Sequence, residues 1–130
     1  MKKTIAIATL ILTMLGVTGC GTVPIMNVSD AAVTSASGKP LTLEQVRGAI
    51  VRAGATLGWQ MKDAGPGLLV GTLNLRSHQA VVDIPYSTSA FSIKYRSSVA
   101  LDERDGSIHK NYNGWITNLT RAINAQISGS

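Results

Sequence analysis

A chain of 130 residues with 12 Lys and Arg against 7 Asp and Glu carries a formal charge of +5, and its 45% hydrophobic content includes a single cysteine. That length suits one small domain rather than two, and one cysteine excludes an internal disulfide framework and a cysteine-rich zinc site. The positive charge is spread along the chain without the clusters of Lys and Arg that a nucleic-acid footprint needs, so nucleic acid is not an expected partner.

In chain order, Lys2 and Lys3 precede an apolar run from Ile5 to Leu15, and small residues follow. This is the plan of a secretory signal peptide over residues 1–19. The run is too short to span a bilayer, which takes about 20 apolar residues. Val17-Thr18-Gly19-Cys20 then supplies an aliphatic residue, a small one, glycine and cysteine. These four positions resemble the lipobox of bacterial lipoproteins.

The resemblance implies that Cys20 becomes the first residue of the mature protein and carries covalent lipid, a diacylglyceryl thioether usually joined by an amide-linked third chain. It also implies that Gly21, standing where an aspartate would favour the inner membrane, directs the protein to the inner leaflet of the outer membrane, facing the periplasm. One myristoyl chain holds only reversibly, and each buried methylene adds ~0.8 kcal/mol, so two or three chains anchor firmly. Loss of Lys2 and Lys3 with the signal lowers the formal charge from +5 to +3. The expected membrane partner is therefore reached through acyl chains and not through charge.

Residues 20–40 read as the lipidated N-terminus and a flexible tether, rich in Gly, Ser, Thr and Ala and bracketed by Pro24 and Pro40. A flexible chain of ~20 residues spans roughly 25 Å, which would let a domain stand clear of the headgroups. Val23, Ile25, Met26 and Val28 are more apolar than a linker needs, and they mark the part suited to pack as an extended strand.

A single periplasmic domain is expected over 41–130. Thr42-Leu43-Glu44-Gln45 has the spacing of a capping box. Val46, Ala49, Ile50, Ala53 and Leu57 then recur at helical intervals, and Gly58 supplies the stop. Gly48 and Gly54 each cost about 1 kcal/mol in a helix relative to Ala, which points to close approach of a sheet. The period then becomes two. Trp59 and Met61 lead into Gly65-Pro66-Gly67; Leu69, Gly71, Leu73 and Leu75 alternate up to a reversal at Ser77-His78; Ala80, Val82 and Ile84 alternate up to Pro85; Phe91, Ile93 and Tyr95 follow.

After the polar turn Asp102 to Gly106, Trp115, Leu119, Ala122, Ile123 and Ile127 mark a second amphipathic helix, with Asn111 or Asn113 as its expected cap. The predicted fold is α+β in two layers: an antiparallel four-stranded meander with two helices packed on one face, in the order α-β-β-β-β-α. The segments Leu41 to Val46, Gly58-Trp59, Gly67 to Gly71, Ile84 to Ser87, Ser92 to Tyr95 and Lys110 to Ile116 resemble a group of small Gram-negative lipoproteins with a lipobox and one compact α+β domain. That resemblance implies architecture and location, and no activity.

Candidate chemistry is sparse. His78 and His109 lie far apart without ligand-spaced companions, so no metal and no cofactor beyond the lipid on Cys20 is expected. Asp102, Glu103 and Asp105 lack the remaining positions of a calcium loop. Ser87, His109 and Asp83 could be named as a hydrolytic triad in any serine-rich chain, and no nucleophile elbow accompanies them. The least ordinary constellation is the polar face of the sheet, where Arg76, Asp83, Ser92, Lys94 and Arg96 form a candidate binding face. The bland alternative is a solvated face in which Asp83 pairs with Lys94 or Arg96. A second candidate is a rim joining Tyr86 to Ala90 with Lys110 to Asn113. The expected function is a non-enzymatic, lipid-anchored module that binds an envelope protein or polymer at the outer membrane. A small periplasmic hydrolase and a purely structural lipoprotein are the alternatives.

Overall fold

The computed structural model describes residues 21–130; the expected signal peptide over 1–19 and the expected lipidation site Cys20 lie outside the described residues. The order is β1 (Thr22–Pro24), β2 (Val28–Ala32), α1 (Leu43–Leu57), β3 (Trp59–Asp63), β4 (Leu68–Leu75), β5 (His78–Pro85), β6 (Ala90–Val99), β7 (Ser107–His109) and α2 (Lys110–Ser128).

The two helices and the β3-β4-β5-β6 meander follow the alternation of the sequence, but the main antiparallel sheet has five strands in the order β2-β6-β5-β4-β3. The fifth comes from the segment expected to be a tether. Val28 pairs with Ile93 and Ala31 with Phe91, across a bulge at which Asp30 takes a φ of 49°. A second, two-stranded sheet pairs β1 with β7, Thr22 opposite His109 and Pro24 opposite Ser107. Residues 22–32 thus belong to the fold. Their apolar members explain why: Ile25, Met26, Val28 and Ala31, partly buried, pack against the core, and apolar surface removed from water contributes about 25 cal/mol per Å² before entropy is subtracted.

Helix α1 begins as its sequence requires. Thr42 accepts from the Gln45 amide at 3.1 Å while Gln45 Oε1 accepts from the Thr42 amide at 2.9 Å, and Gly58 ends the helix in the left-handed region. Close approach to the sheet is real at Gly54, where a β-carbon would lie 2.6 Å from Met61 Cε and 3.3 Å from Trp59 Cβ. Gly48 is different: a β-carbon there would meet only the flexible guanidinium of Arg52.

Helix α2 starts five residues before Trp115, and its core stripe is Tyr112, Ile116, Leu119, Ile123 and Ile127. Trp115 sits one position off that stripe and is only partly buried. The two helices lie against the face made by Leu69, Leu73, Ala80, Val82, Ile84, Phe91 and Ile93. One end of the sandwich carries the β4–β5 turn, the C-cap of α1, β7 and the start of α2. The opposite end carries the β3–β4 turn, the β5–β6 turn and the start of α1.

Candidate functional site

The five residues of the sequence-derived binding face are not all brought together. Asp83 and Lys94 are direct cross-strand partners, and Arg96 Nη1 lies 3.2 Å from Asp83 Oδ1. Those three form a solvated patch in which one cation is matched, an arrangement worth under about 1 kcal/mol at the surface. Ser92 does not join it. Strand β2 covers Ser92, leaving it 6% exposed with its Oγ accepting from the Asp30 amide at 3.0 Å. Arg76 lies in the β4–β5 turn, at a φ of 57°, and not on the sheet face.

The second candidate rim is divided as well, since Tyr86 to Ala90 and Lys110 to Asn113 occupy opposite ends of the domain. The cap of α2 is His109, whose Nδ1 accepts from the Asn111 amide at 3.2 Å. Asn113 instead ties the N-terminal segment to α2, its Oδ1 accepting from the Met26 amide at 3.0 Å and its Nδ2 donating to the Pro24 carbonyl at 2.9 Å. His78 Nδ1 lies 2.9 Å from the Ala100 carbonyl. Ser87 Oγ accepts from the Ala90 amide at 3.1 Å within its own turn. His109, Ser87 and Asp83 therefore each serve a local structure and do not converge.

A concavity lies at the end of the domain remote from Gly21. It is an open cleft of about 470 Å³ lined by Leu43, Glu44, Arg47, Asp63, the Gly65-Pro66-Gly67 turn and Tyr86. The first turn of α1 supplies one wall and the end of β3 the other. Arg47 bridges them with a bidentate fork, Nε to Asp63 Oδ1 at 2.7 Å and Nη2 to Oδ2 at 2.6 Å, the geometry that a planar guanidinium favours over a point charge. Glu44 approaches the same guanidinium at 3.6 Å. The hydrogen bonds from Arg47 hold the Asp63 carboxyl below its ordinary range, and the same bonds raise Arg47.

Tyr86 forms the floor. Its amide donates to the Gly67 carbonyl at 2.8 Å, and a β-carbon at Gly67 would stand 2.9 Å from the Tyr86 carbonyl, so glycine is needed there for both contact and its φ of 70°. Burial pushes the Tyr86 phenol up. The arrangement offers a fixed ion pair, a phenol and apolar walls from Leu43 and Pro66 beside β3, which is an edge strand of the sheet. Among the described residues no group of three or more His, Cys, Asp or Glu is gathered to hold a metal ion.

Arg47 and Asp63 are not legible as a pair in the sequence, because nothing in the sixteen-residue separation announces the contact; the Gly-Pro-Gly turn beside them is the available signal. Asn113 carries none beyond its preference for helix starts. No protein-family model, curated protein or solved structure matches this chain.

Proposed function

We propose that this chain is a lipid-anchored cell-envelope lipoprotein, acylated at Cys20, held at the inner leaflet of the outer membrane, and acting as a non-enzymatic binding module whose contact region is the cleft between α1 and the β3–β4 turn. The observation that carries the reading is the position of that cleft. It lies at the end of the domain opposite Gly21, so a chain anchored at its N-terminus offers the cleft to the periplasm. An extended segment of another envelope protein suits it, because an edge strand can accept main-chain pairing while the cleft takes a side chain.

Two measurements test this reading. Cys20→Ala abolishes acyl labelling and membrane retention; normal processing and unchanged fractionation of that variant would remove the anchor from the proposal. A photo-crosslinking residue at Glu44 or Tyr86, in cells carrying the acylated protein, gives a reproducible adduct that a probe at Lys94 on the outer sheet face, away from the β3 edge, does not. Equal or absent adducts at all three positions would discard the cleft and leave a purely structural lipoprotein.

A further inference from the structure

The remaining apolar side chains at the surface are not scattered. Among the described residues, the exposed large hydrophobic ones are Leu43 at 40%, Leu57 at 39%, Leu75 at 46% and Val99 at 56%. Leu43 lines the remote cleft, and the other three are all at the end where the N-terminus enters. Leu57 is the last residue of α1, Leu75 the last of β4 and Val99 the last of β6. Leu57 and Leu75 continue the apolar patterns of their elements one step past the core, whereas Val99, the cross-strand partner of Gln79, lies at the same end on the outer face of the sheet. Leu57 and Leu75 join Trp115 in a groove of about 120 Å³, and the half-buried indole is the amphipathic kind of side chain that favours a lipid–water boundary.

The path of the chain places Gly21, the first described residue, at this end. The Lys110 amide donates to the Gly21 carbonyl at 2.7 Å, and the His109 amide to the Leu101 carbonyl at 2.8 Å. His78, the cross-strand partner of Leu75, reaches the Ala100 carbonyl at 2.9 Å. A continuous set of short contacts therefore runs from Gly21 to the exposed leucine. Cys20 is the residue before Gly21, and consecutive Cα atoms are about 3.8 Å apart. No free length of tether separates the acylated residue from the fold.

We infer that the end of the domain bearing Leu57, Leu75, Val99 and Trp115 is a lipid-contact surface, seated at the headgroup–acyl boundary of the same bilayer that holds the chains on Cys20. The inference rests on the lipidation reading above. Charge contributes little, because Arg76, Arg104 and Lys110 at this end are balanced by Asp102, Glu103 and Asp105. The attraction is burial of apolar surface, which acts once acylation has already placed the domain at the membrane.

Acylation leaves the mature chain without a free thiol, so a single introduced cysteine can carry a nitrobenzoxadiazole probe. Leu75→Cys, Val99→Cys and, at the remote end, Leu43→Cys are expressed as the full chain, purified in acylated form and reconstituted into phosphatidylethanolamine–phosphatidylglycerol vesicles. Intact mass first establishes the acyl chains, and circular dichroism an unchanged fold. The probes at 75 and 99 are then quenched several-fold more by doxyl-labelled lipid than the probe at 43. Equal quenching at all three positions, with the acyl mass present, overturns the lipid-contact surface and leaves the anchor standing. Absence of the acyl mass overturns the anchor and this inference together. Shielding at 75 and 99 that follows protein density, with energy transfer between differently labelled copies, assigns the surface to self-association and likewise overturns it.

Discussion

Asn113→Ala tests whether the segment after Cys20 is part of the fold or a tether. The side chain makes two hydrogen bonds across nearly ninety residues of sequence, one to the Met26 amide and one to the Pro24 carbonyl. A net hydrogen bond is worth about 0.5–1.5 kcal/mol. The Pro24 carbonyl is exposed enough to turn to water, so the half-buried Met26 amide carries most of the loss, and the better helix propensity of alanine returns about half a kcal/mol. The expected net destabilisation is about 1 kcal/mol, concentrated in residues 21–32. Hydrogen exchange should therefore quicken about fivefold at the Ile25 and Met26 amides. Amides in the centre of β5 should change less, because local opening does not require global unfolding. Asn113→Asp keeps the acceptor for Met26 and should recover most of the protection. Wild-type exchange at both amides in Asn113→Ala would refute the reasoning, and unprotected exchange at both in the unsubstituted protein would restore a free tether.

Other substitutions probe the core and the cleft. Tyr112 is fully buried and its hydroxyl has no hydrogen-bond partner among the described residues; its ring meets Tyr95 edge-on at 5.7 Å, and burial holds the phenol well above its usual range. Tyr112→Phe keeps the ring contact and removes the unpaired group, so urea denaturation should give a gain of about 1 kcal/mol; a loss of that size would mean the hydroxyl is satisfied. Gly48→Ala should stabilise by up to about 1 kcal/mol through helix propensity, whereas Gly54→Ala meets Met61 and Trp59 and should destabilise; the same sign in both would contradict the packing of α1 on β3. Because Arg47 lowers the Asp63 pKa, that group stabilises the fold above the unfolded carboxyl value of about 3.9, and the contribution fades as pH falls through the lower folded value. Urea midpoints compared near pH 6 and pH 3 should therefore fall less for Asp63→Asn than for the wild type, and parallel profiles would remove the pair from the acid response.

Where periodicity and local capping suffice, the sequence is a good guide. The box at Thr42 to Gln45 needs only residues three apart, and the alternation from Leu69 to Ile84 needs only a face to bury. The departures share a cause, which is partners distant in sequence. Ser92 reads as polar and outward until β2 arrives over it from 62 residues away, and Asn113 reads as a cap until Pro24 and Met26 occupy both ends of its amide. Trp115 reads as part of the core stripe because its spacing to Leu119 is helical, yet Tyr112 and Ile116 share the stripe's true phase, and an aromatic one position away falls on the rim. Residues 22–32 fall in a stretch that reads as a tether, although Val23, Ile25, Met26 and Val28 mark a part suited to pack as a strand; their pairing with β6 is hidden because the bulge at Asp30 breaks the alternation. That last difference bears most on function. A long tether would make the direction of the domain irrelevant, whereas a chain fixed from Gly21 onward gives it one. Gly21, the overhanging leucines and the indole of Trp115 then fall at one end, and the cleft of Arg47, Asp63 and Tyr86 at the other. On the proposed reading, the fold sets which surface meets lipid and which meets a partner.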